Sequence, residues 1–457
     1  MPAPHPSSPP LYSFEHQDEV FARAFSILQE AIAQRAFPAA SIAITHRGRL
    51  IALKALGRLT YESRSGEFAP GGKDEIASGA PSFSRSLREG GAFDVRSTTP
   101  PAGAPSFASF AKGGSGAVTP TTLFDLASLT KVVATTPMAM LLYERGLDLD
   151  APVSALLPEF LHDAEKDLRR HNVTLRMLLA HSSGLSAYEK LFLKSHTRAE
   201  LLQAAFATPL AANPATRADY SDIGFIILGI ALERLADESL DRFCQREIFA
   251  PLGMTNTTFN PPTAIRAQIP PTADERECGK EECGAEECGA GAPAREMPAP
   301  QPPSSGSQQE VRSTFRNRII QGEVQDENTS ILNGVAAHAG LFSTAEDIAK
   351  FAHAMLNSGR PILRPDTVAL FTRRESAPPA TSRALGWDTP SAPSQSGKYF
   401  APTSFGHLGY TGTSLWIDPV RQLSITLLTN RTWPDCSNQI IKQVRPKFHD
   451  AVIEALK

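Results

Sequence analysis

The two ends of this 457-residue chain mirror each other, and this symmetry constrains the fold more than any other feature. Near the amino terminus, an amphipathic helix over residues 21–32 precedes two strand-like runs that turn at Arg47 and Gly48. Near the carboxyl terminus, a second pair of strand-like runs turns at Asp418 and Pro419, and a helical period follows. The simplest packing of these elements is one antiparallel sheet covered by both terminal helices.

The middle of the chain must then be an inserted part, and it is rich in helix signals, the longest of which runs from Phe124 to Gly146. We therefore predict one domain, 1–457, of the α+β class. Residues 12–61 and 331–457 form its α/β part, and 121–330 form a mostly helical subdomain. A ligand cleft is expected between the two parts.

Two segments, 62–120 and 276–313, differ in composition from their surroundings. The first is dense in Gly, Ser and Pro, and the second joins an acidic ECG repeat to a Pro-, Ser- and Gln-rich tract. Both lack the apolar residues that offset ordering entropy, so we predict low-complexity, disordered insertions. The repeat cysteines Cys278, Cys283 and Cys288 lack the two-residue spacing and fourth ligand of zinc sites, so no metal is predicted.

Composition excludes several classes of function. Lys plus Arg total 45 against 48 for Asp plus Glu, so there is no overall basic field to attract nucleic acid. No stretch approaches the roughly 18 consecutive apolar residues of a membrane span. The amino terminus has no Lys or Arg before Arg23 and no apolar core, so the sequence as written predicts a cytoplasmic protein, with export of a longer precursor left open. The oligomeric state is not indicated.

Ser128 and Lys131 form an S-x-x-K motif at the start of an apolar helical segment. Residues three apart share a helix face, so the amine can reach the hydroxyl. A serine hydroxyl is a weak nucleophile until a base removes its proton, and a lysine serves as that base only when its surroundings favour the uncharged form. Alone, the motif equally fits a surface serine one turn from a surface lysine.

A second motif, Tyr220-Ser221-Asp222, directly precedes another apolar helix. Tyr220 near a cationic lysine can relay a proton, either as a second base for Ser128 or as a donor to a leaving group. The alternative is structural, because Ser221 or Asp222 in this position is typical of a helix N-cap. Asp222 therefore either caps the helix or contacts the substrate.

A third motif, His407 to Tyr410, lies in a glycine-dense strand where a ligand backbone can approach closely. The amides of Tyr410 and Ser128 would form an oxyanion hole for an acyl-transfer intermediate. His407 would add a hydrogen-bond donor, neutral or charged. Without the other two motifs, a histidine held on a strand for packing explains His407 as well.

Taken in order, S-x-x-K, Tyr-x-Asp and His-x-Gly, the chain resembles the serine β-lactamase and penicillin-binding-protein superfamily. The resemblance is to the class C-like branch with D-alanyl-D-alanine carboxypeptidases, D-aminopeptidases and esterases. Segments at 178–185, 333–351, 385–388 and 411–419 are also similar to that branch. The resemblance implies a β-lactamase/transpeptidase-like fold.

The resemblance also implies roles for individual residues. Ser128 would be the acylated nucleophile, Lys131 its activating base and Tyr220 the proton shuttle, while His407 and Gly409 would line the substrate strand. Two positions depart from the family pattern. Asp222 stands where Asn is common, and an ionised carboxylate can only accept hydrogen bonds; it would then hold Lys131. Leu408 stands where penicillin-recognising members carry Thr or Ser, so weak or absent β-lactamase activity is expected.

These observations predict a cofactor-independent serine hydrolase that forms an acyl-enzyme on a small ester or a D-amino-acid peptide. One alternative is a non-catalytic ligand- or peptidoglycan-binding protein that retains the fold, with Asp222 and Leu408 as marks of lost turnover. A metallohydrolase ranks low, because none of the eleven histidines falls in an H-E-x-x-H pattern.

Overall fold

The computed structural model describes the residues 15–61, 116–161, 167–276, 315–434 and 436–457. The predicted insertions at 62–120 and 276–313 lie almost wholly outside the described residues, and so do the three repeat cysteines.

The described strands are β1 (Ala39–His46), β2 (Arg49–Gly57), β3 (Phe124–Asp125), β4 (Thr258–Phe259), β5 (Ala273–Asp274), β6 (Ile319–Ile320), β7 (Leu341–Ser343), β8 (Phe405–Leu408), β9 (Ser414–Asp418) and β10 (Leu423–Thr429). The described α-helices are α1 (Gln17–Val20), α2 (Ala22–Ala33), α3 (Thr136–Glu144), α4 (Val153–Leu156), α5 (Leu175–Leu179), α6 (Arg198–Ala207), α7 (Asp222–Ala236), α8 (Leu240–Cys244), α9 (Thr263–Arg266), α10 (Glu327–Ile331), α11 (Ala345–Leu356), α12 (Pro365–Thr372) and α13 (Ile441–Ala455). Short 3₁₀ turns cover Pro158–Leu161, Leu168–Asn172 and Leu191–Leu193, and π-helical turns cover Lys131–Thr135 and Gln245–Phe249.

A five-stranded sheet of order β2-β1-β10-β9-β8 joins the two ends of the chain. Each neighbouring pair in it is antiparallel, and β1 pairs with β10 so that Ile42 lies opposite Leu427. The β1–β2 turn places Arg47 at φ 48° and Gly48 at φ 77°, as a two-residue hairpin turn that matches the strand twist requires. The predicted antiparallel sheet of the α+β class is confirmed.

Successive side chains of a strand point to opposite faces of the sheet, and both faces of this sheet are covered. Ile42 and Ile44 of β1 point into an apolar cluster shared with the terminal helices α2 and α13. Ala39 and Ala43 point to the opposite face, where α11 packs across the sheet. The prediction that both terminal helices cover the sheet is therefore confirmed, and α11 covers the other face.

The predicted helix from Phe124 to Gly146 is wrong at its amino end. Its first two residues form β3, which pairs with β7, and the chain turns before a π-helical segment at Lys131–Thr135 leads into α3. Pro137 gives a physical reason for the wide turn, because its ring lacks an N–H and clashes with the carbonyl four residues earlier in a regular α-helix.

The middle of the chain carries α3 to α10, and among them α5 and α6 pack on α7. Two small sheets, β3-β7-β4 and β5-β6, were not predicted there. The first of them fixes the start of the segment that carries Ser128, because β3 ends three residues before that serine. Within the described ranges, no helix combines the length and apolar character that crossing a membrane requires.

Candidate active site

Ser128 lies in a buried turn between β3 and the π-helical segment. Ala127, just before it, has a φ of 47°, a left-handed conformation that is strained for a residue with a side chain. The Asp125 carboxylate holds this turn, since it accepts the Ala127 amide at 2.8 Å and the Gln325 amide at 2.7 Å. Burial raises the pKa of Asp125 to about 6, although the hydrogen bonds from the Ala127 and Gln325 amides act to lower it.

Two predicted side chains converge on the Ser128 hydroxyl oxygen. The Tyr220 hydroxyl donates to Ser128 Oγ at 2.6 Å, and Lys131 Nζ donates to the same oxygen at 3.1 Å. Lys131 Nζ also lies 4.8 Å from the centroid of the Tyr220 ring. The structure thus brings together a hydroxyl, an amine and a phenol that are up to 92 positions apart in the chain.

Lys131 is fully buried, and two more acceptors surround its amine. Nζ donates to Asp222 Oδ1 at 2.6 Å and to the His338 carbonyl at 3.1 Å, in addition to Ser128. These acceptors match the three N–H groups of an ammonium, and a carboxylate among them favours the charged form. The uncharged lysine expected from the sequence stays a prediction, and the Asp222 carboxylate favours the ammonium instead.

The Tyr220 to Asp222 segment is fixed by the start of α7. Ser221 is the N-cap of this helix, because its Oγ accepts the Gly224 amide at 3.0 Å. The Ser221 amide donates to His181 Nδ1 at 3.0 Å, and the His181 ring lies 4.7 Å from the Tyr220 ring. Of the two roles left open for Asp222, capping therefore falls to Ser221, and Asp222 pairs with the lysine.

A buried ion pair that was not predicted flanks the Tyr220 ring. Arg383 places its guanidinium carbon 5.4 Å from the Tyr220 ring centroid and forms a hydrogen-bonded ion pair with Asp388. The Asp388 amide donates to the Gly406 carbonyl at 2.9 Å, which ties the pair to β8. Burial raises the pKa of Asp388 to about 6 against the pull of Arg383. Asp388 is the last residue of the 385–388 segment, which resembles the family, but the sequence assigned it no role.

His407 lies on β8 with its ring 5.9 Å from the Tyr220 ring. Its Nδ1 is 2.7 Å from the Leu408 carbonyl, so Nδ1 carries the hydrogen, while the buried Nε2 has no partner among the described residues. Burial, together with the charges of Lys131 and Arg383, holds the pKa of His407 well below its usual value. The ring is therefore neutral near pH 7 and presents a lone pair at Nε2. In this arrangement the N–H of His407 faces the Leu408 carbonyl, and its role as a donor to a substrate stays a prediction.

The turn at residues 409–413 is attached to the loop that carries Ser128. The Thr411 hydroxyl donates to the Asp125 carbonyl at 2.8 Å, and the Thr413 hydroxyl donates to the Leu126 carbonyl at 3.0 Å. These two bonds fix the turn against the backbone just before the serine.

Gly409 has no room for a side chain at this contact. A Cβ atom there would lie 2.0 Å from Thr413 Oγ1 and 2.6 Å from the Leu126 carbonyl oxygen. The close approach of two backbone segments therefore requires glycine, and Tyr410 follows it in the same turn. Among the described residues, no group of three or more His, Cys, Asp or Glu side chains is arranged to hold a metal ion.

Comparison with known proteins assigns the chain to a protein family. The β-lactamase family profile matches residues 24–440, which is most of the chain. The chain belongs to the β-lactamase family. Within it, the chain is 32% identical over 340 residues to a Salmonella agona (strain SL483) protein named "Putative D-alanyl-D-alanine carboxypeptidase", across 70% of this chain and 72% of that protein.

Solved structures share the fold of this β-lactamase-family chain. EstCE1, described as a hydrolase with promiscuous acyltransferase activity, aligns with a TM-score of 0.61 at 20% identity over 95% of this chain and 99% of its own. A simvastatin synthase (LovD) mutant from Aspergillus terreus aligns with a TM-score of 0.59 at 19% identity over 96% and 95% of the two chains. A class C β-lactamase from Rhodobacter sphaeroides aligns with a TM-score of 0.56 at 19% identity over 96% and 100%. The predicted β-lactamase/transpeptidase-like fold is confirmed.

Proposed function

We propose that this chain is a serine hydrolase that works through an acyl-enzyme formed on Ser128. The observation that carries the proposal is the convergence of the Tyr220 hydroxyl, at 2.6 Å, and the Lys131 amine, at 3.1 Å, on Ser128 Oγ. A serine becomes an effective nucleophile when an adjacent group accepts its proton, and a neighbouring phenol meets that requirement in its ionised form.

The reactive form of the site carries Tyr220 as the phenolate, its proton having passed to water. In the acylation step, Ser128 Oγ attacks the carbonyl carbon of the substrate, and its proton passes to this phenolate oxygen. Lys131, held in its charged form by Asp222, stabilises the phenolate before the transfer. The carbonyl oxygen becomes an oxyanion, which accepts hydrogen bonds from the backbone N–H groups of Ser128 and Tyr410. Tyr220 then returns the proton to the departing alkoxide or amine.

Deacylation repeats these steps with water. Tyr220 takes a proton from the attacking water, and the resulting hydroxide adds to the acyl carbonyl carbon. As the second intermediate collapses, Ser128 leaves and recovers the proton from Tyr220. The cycle uses the residues of this chain alone, and Lys131 acts as a fixed charge throughout.

A small ester or a peptide with a D-amino acid is the substrate class that the observations support best. The relative named as a D-alanyl-D-alanine carboxypeptidase supports hydrolysis of a peptide amide. A small ester is retained because the same nucleophile and proton-transfer groups act on either acyl derivative. A β-lactam is supported less well, because buried Leu408 offers no hydroxyl to its carboxylate and His407 Nε2 offers a lone pair.

Intact-mass spectrometry tests the proposal. The protein is incubated with a p-nitrophenyl ester and, separately, with a fluorescent penicillin, and the adducted peptide is mapped. We expect an ester adduct on Ser128 that Ser128→Ala abolishes together with turnover. Ser41→Ala is the matched control, because Ser41 is also buried but lies in β1 and its Oγ has no partner among the described residues.

Two outcomes decide against the proposal. Full adduct formation and turnover in Ser128→Ala would remove Ser128 from the chemistry. Tight, stoichiometric ligand binding without turnover in the wild-type protein would favour the non-catalytic binding protein.

A further inference from the structure

We infer that Arg445, on the C-terminal helix α13, is a positioning residue for the oxyanion hole, an inference that rests on the function proposed above. Arg445 lies more than 300 positions after Ser128 in the chain, and only 5% of its surface is exposed. Its guanidinium donates to three carbonyl oxygens of the turn after β8: Gly409 at 3.0 Å, Gly412 at 3.2 Å and Thr413 at 3.3 Å.

The bond to Gly409 is the one with a consequence for catalysis. The Gly409 carbonyl and the Tyr410 N–H belong to the same peptide group, whose atoms share a delocalised, planar bond. A cation that binds the carbonyl end draws electron density from the N–H end and makes the N–H a stronger donor. The amide that we propose to bind the oxyanion is therefore polarised from behind by Arg445.

The turn also holds this peptide at the correct place. The Gly412 amide donates to the same Gly409 carbonyl at 3.0 Å, so that oxygen has donors from two directions. The hydroxyls of Thr411 and Thr413 bind the loop before Ser128, at 2.8 Å and 3.0 Å. The guanidinium therefore orients a peptide that is already tied to the serine, which is the preorganisation that stabilises a developing negative charge.

The positive charge behind the turn belongs to Arg445 and not to its histidine neighbour. His449 lies one helical turn further along α13, and its Nε2 is 3.3 Å from Ser414 Oγ. Burial, and then the charge of Arg445, lower the pKa of His449 to about 3. The imidazole is therefore neutral near pH 7, while a guanidinium stays charged.

Arg431, which lies just after β10 and contacts the same turn, provides a matched control. It is also buried, and its Nε donates to the Tyr410 carbonyl at 2.7 Å. That carbonyl belongs to the next peptide group, whose N–H is that of Thr411. Arg431 thus supports the turn without acting on the peptide that carries the proposed donor.

The first test compares variants of the two arginines by ester hydrolysis and thermal melting. We expect Arg445→Met to lower kcat by about tenfold with KM within about twofold, which is less than the loss of a whole oxyanion donor. Arg445→Lys should recover part of this loss, since an ammonium keeps the charge but not the forked geometry. Arg431→Lys should stay within about threefold of wild type.

A second measurement keeps the test decisive where Arg445→Met does not fold. An oxoester and its thionoester are compared in wild type, Arg445→Lys and Arg431→Lys, because sulfur is a weak acceptor of N–H bonds. The preference for the oxoester should fall in Arg445→Lys and persist in Arg431→Lys. An unchanged preference in folded Arg445→Lys, or equal changes in both variants, overturns the inference. Hydrolysis that survives Ser128→Ala overturns the proposed function instead, so the two failures are distinguishable.

Discussion

The two sides of Ser128 are formed by different kinds of chemical groups. On the side of Lys131, Tyr220 and Asp222, side chains meet at the ends of helical segments and form a charged network around the hydroxyl. On the side of the 409–413 turn, the backbone faces the serine loop, and Arg445 supports it from behind. We assign proton transfer to the first side and stabilisation of negative charge to the second.

Buried charge is also used differently on the two sides. Lys131 faces the Asp222 carboxylate at 2.6 Å, and Arg383 beside the phenol pairs with Asp388. Behind the turn, the guanidinium of Arg445 binds peptide carbonyls. A carboxylate partner fixes a protonation state, whereas a carbonyl partner passes the polarisation on through the peptide bond. Mutations on the two sides of Ser128 should therefore affect activity differently.

Tyr220→Phe tests the proton-transfer side and should have the largest effect. The variant keeps the ring and its contact with His181, but loses the oxygen that lies 2.6 Å from Ser128 Oγ. We expect kcat for a p-nitrophenyl ester to fall by about 10²–10⁴-fold, as for other positioned acid–base groups, with little change in melting temperature. Tyr399→Phe is the control, because that hydroxyl donates to Glu454 at 2.8 Å, outside the site. Equal losses in both variants would remove Tyr220 from proton transfer.

Gly409→Ala tests the turn side. The new methyl group would lie 2.6 Å from the Leu126 carbonyl, so the turn must move away from the serine loop. Since one oxyanion donor contributes about 10²–10³ in kcat, we expect a loss near the lower end of that range, read from steady-state hydrolysis.

Gly224→Ala is the matched control for this methyl group. It lies in the first turn of α7, where the nearest atom to an added Cβ is Ser221 Oγ at 3.4 Å. Activity should persist, and the free energy of unfolding should rise by about 0.5–1 kcal/mol, as for glycine replaced by alanine within a helix. Full activity in Gly409→Ala would show that the turn does not position the oxyanion.

The difference between the two sides also explains how much could be predicted from the sequence. The terminal hairpins follow from alternating apolar residues around Arg47 and Asp418, which are local signals. Ser128, Lys131 and Tyr220 were predicted together because short motifs carry their chemistry, and the structure brings all three within hydrogen-bonding reach.

Features that depend on distant partners escaped prediction. The contact of Lys131 with Asp222 was expected, but the His338 carbonyl, which accepts from the same amine and lies 207 positions away, was not. The Leu408 carbonyl beside His407 Nδ1 was not foreseen either. Arg445 bonds to backbone atoms 32 to 36 positions earlier, and no sequence pattern marks a residue by the carbonyls it meets.

The smallest expected effect is that of His449, which lies behind the turn, on the pH dependence of the free energy of unfolding. In the folded protein, burial and Arg445 lower the pKa of His449 to about 3, whereas an unfolded histidine titrates near 6.5. Between these values only the unfolded state gains the proton, so this residue makes the fold less stable as the pH falls. The contribution is complete above about pH 6.5 and declines by about 1.4 kcal/mol per pH unit below it.

His449→Gln removes this titration while retaining a neutral amide that can bond to Ser396 and Ser414. Urea unfolding between about pH 6 and pH 4 should therefore show a flatter decline than in wild type, by about 1 kcal/mol per pH unit. Parallel slopes for wild type and His449→Gln would mean that His449 gains its proton in the folded state, and a second cation would then lie beside Arg445. In that case the charge behind the turn would depend on pH, and the loss of kcat in Arg445→Met should shrink on acidification.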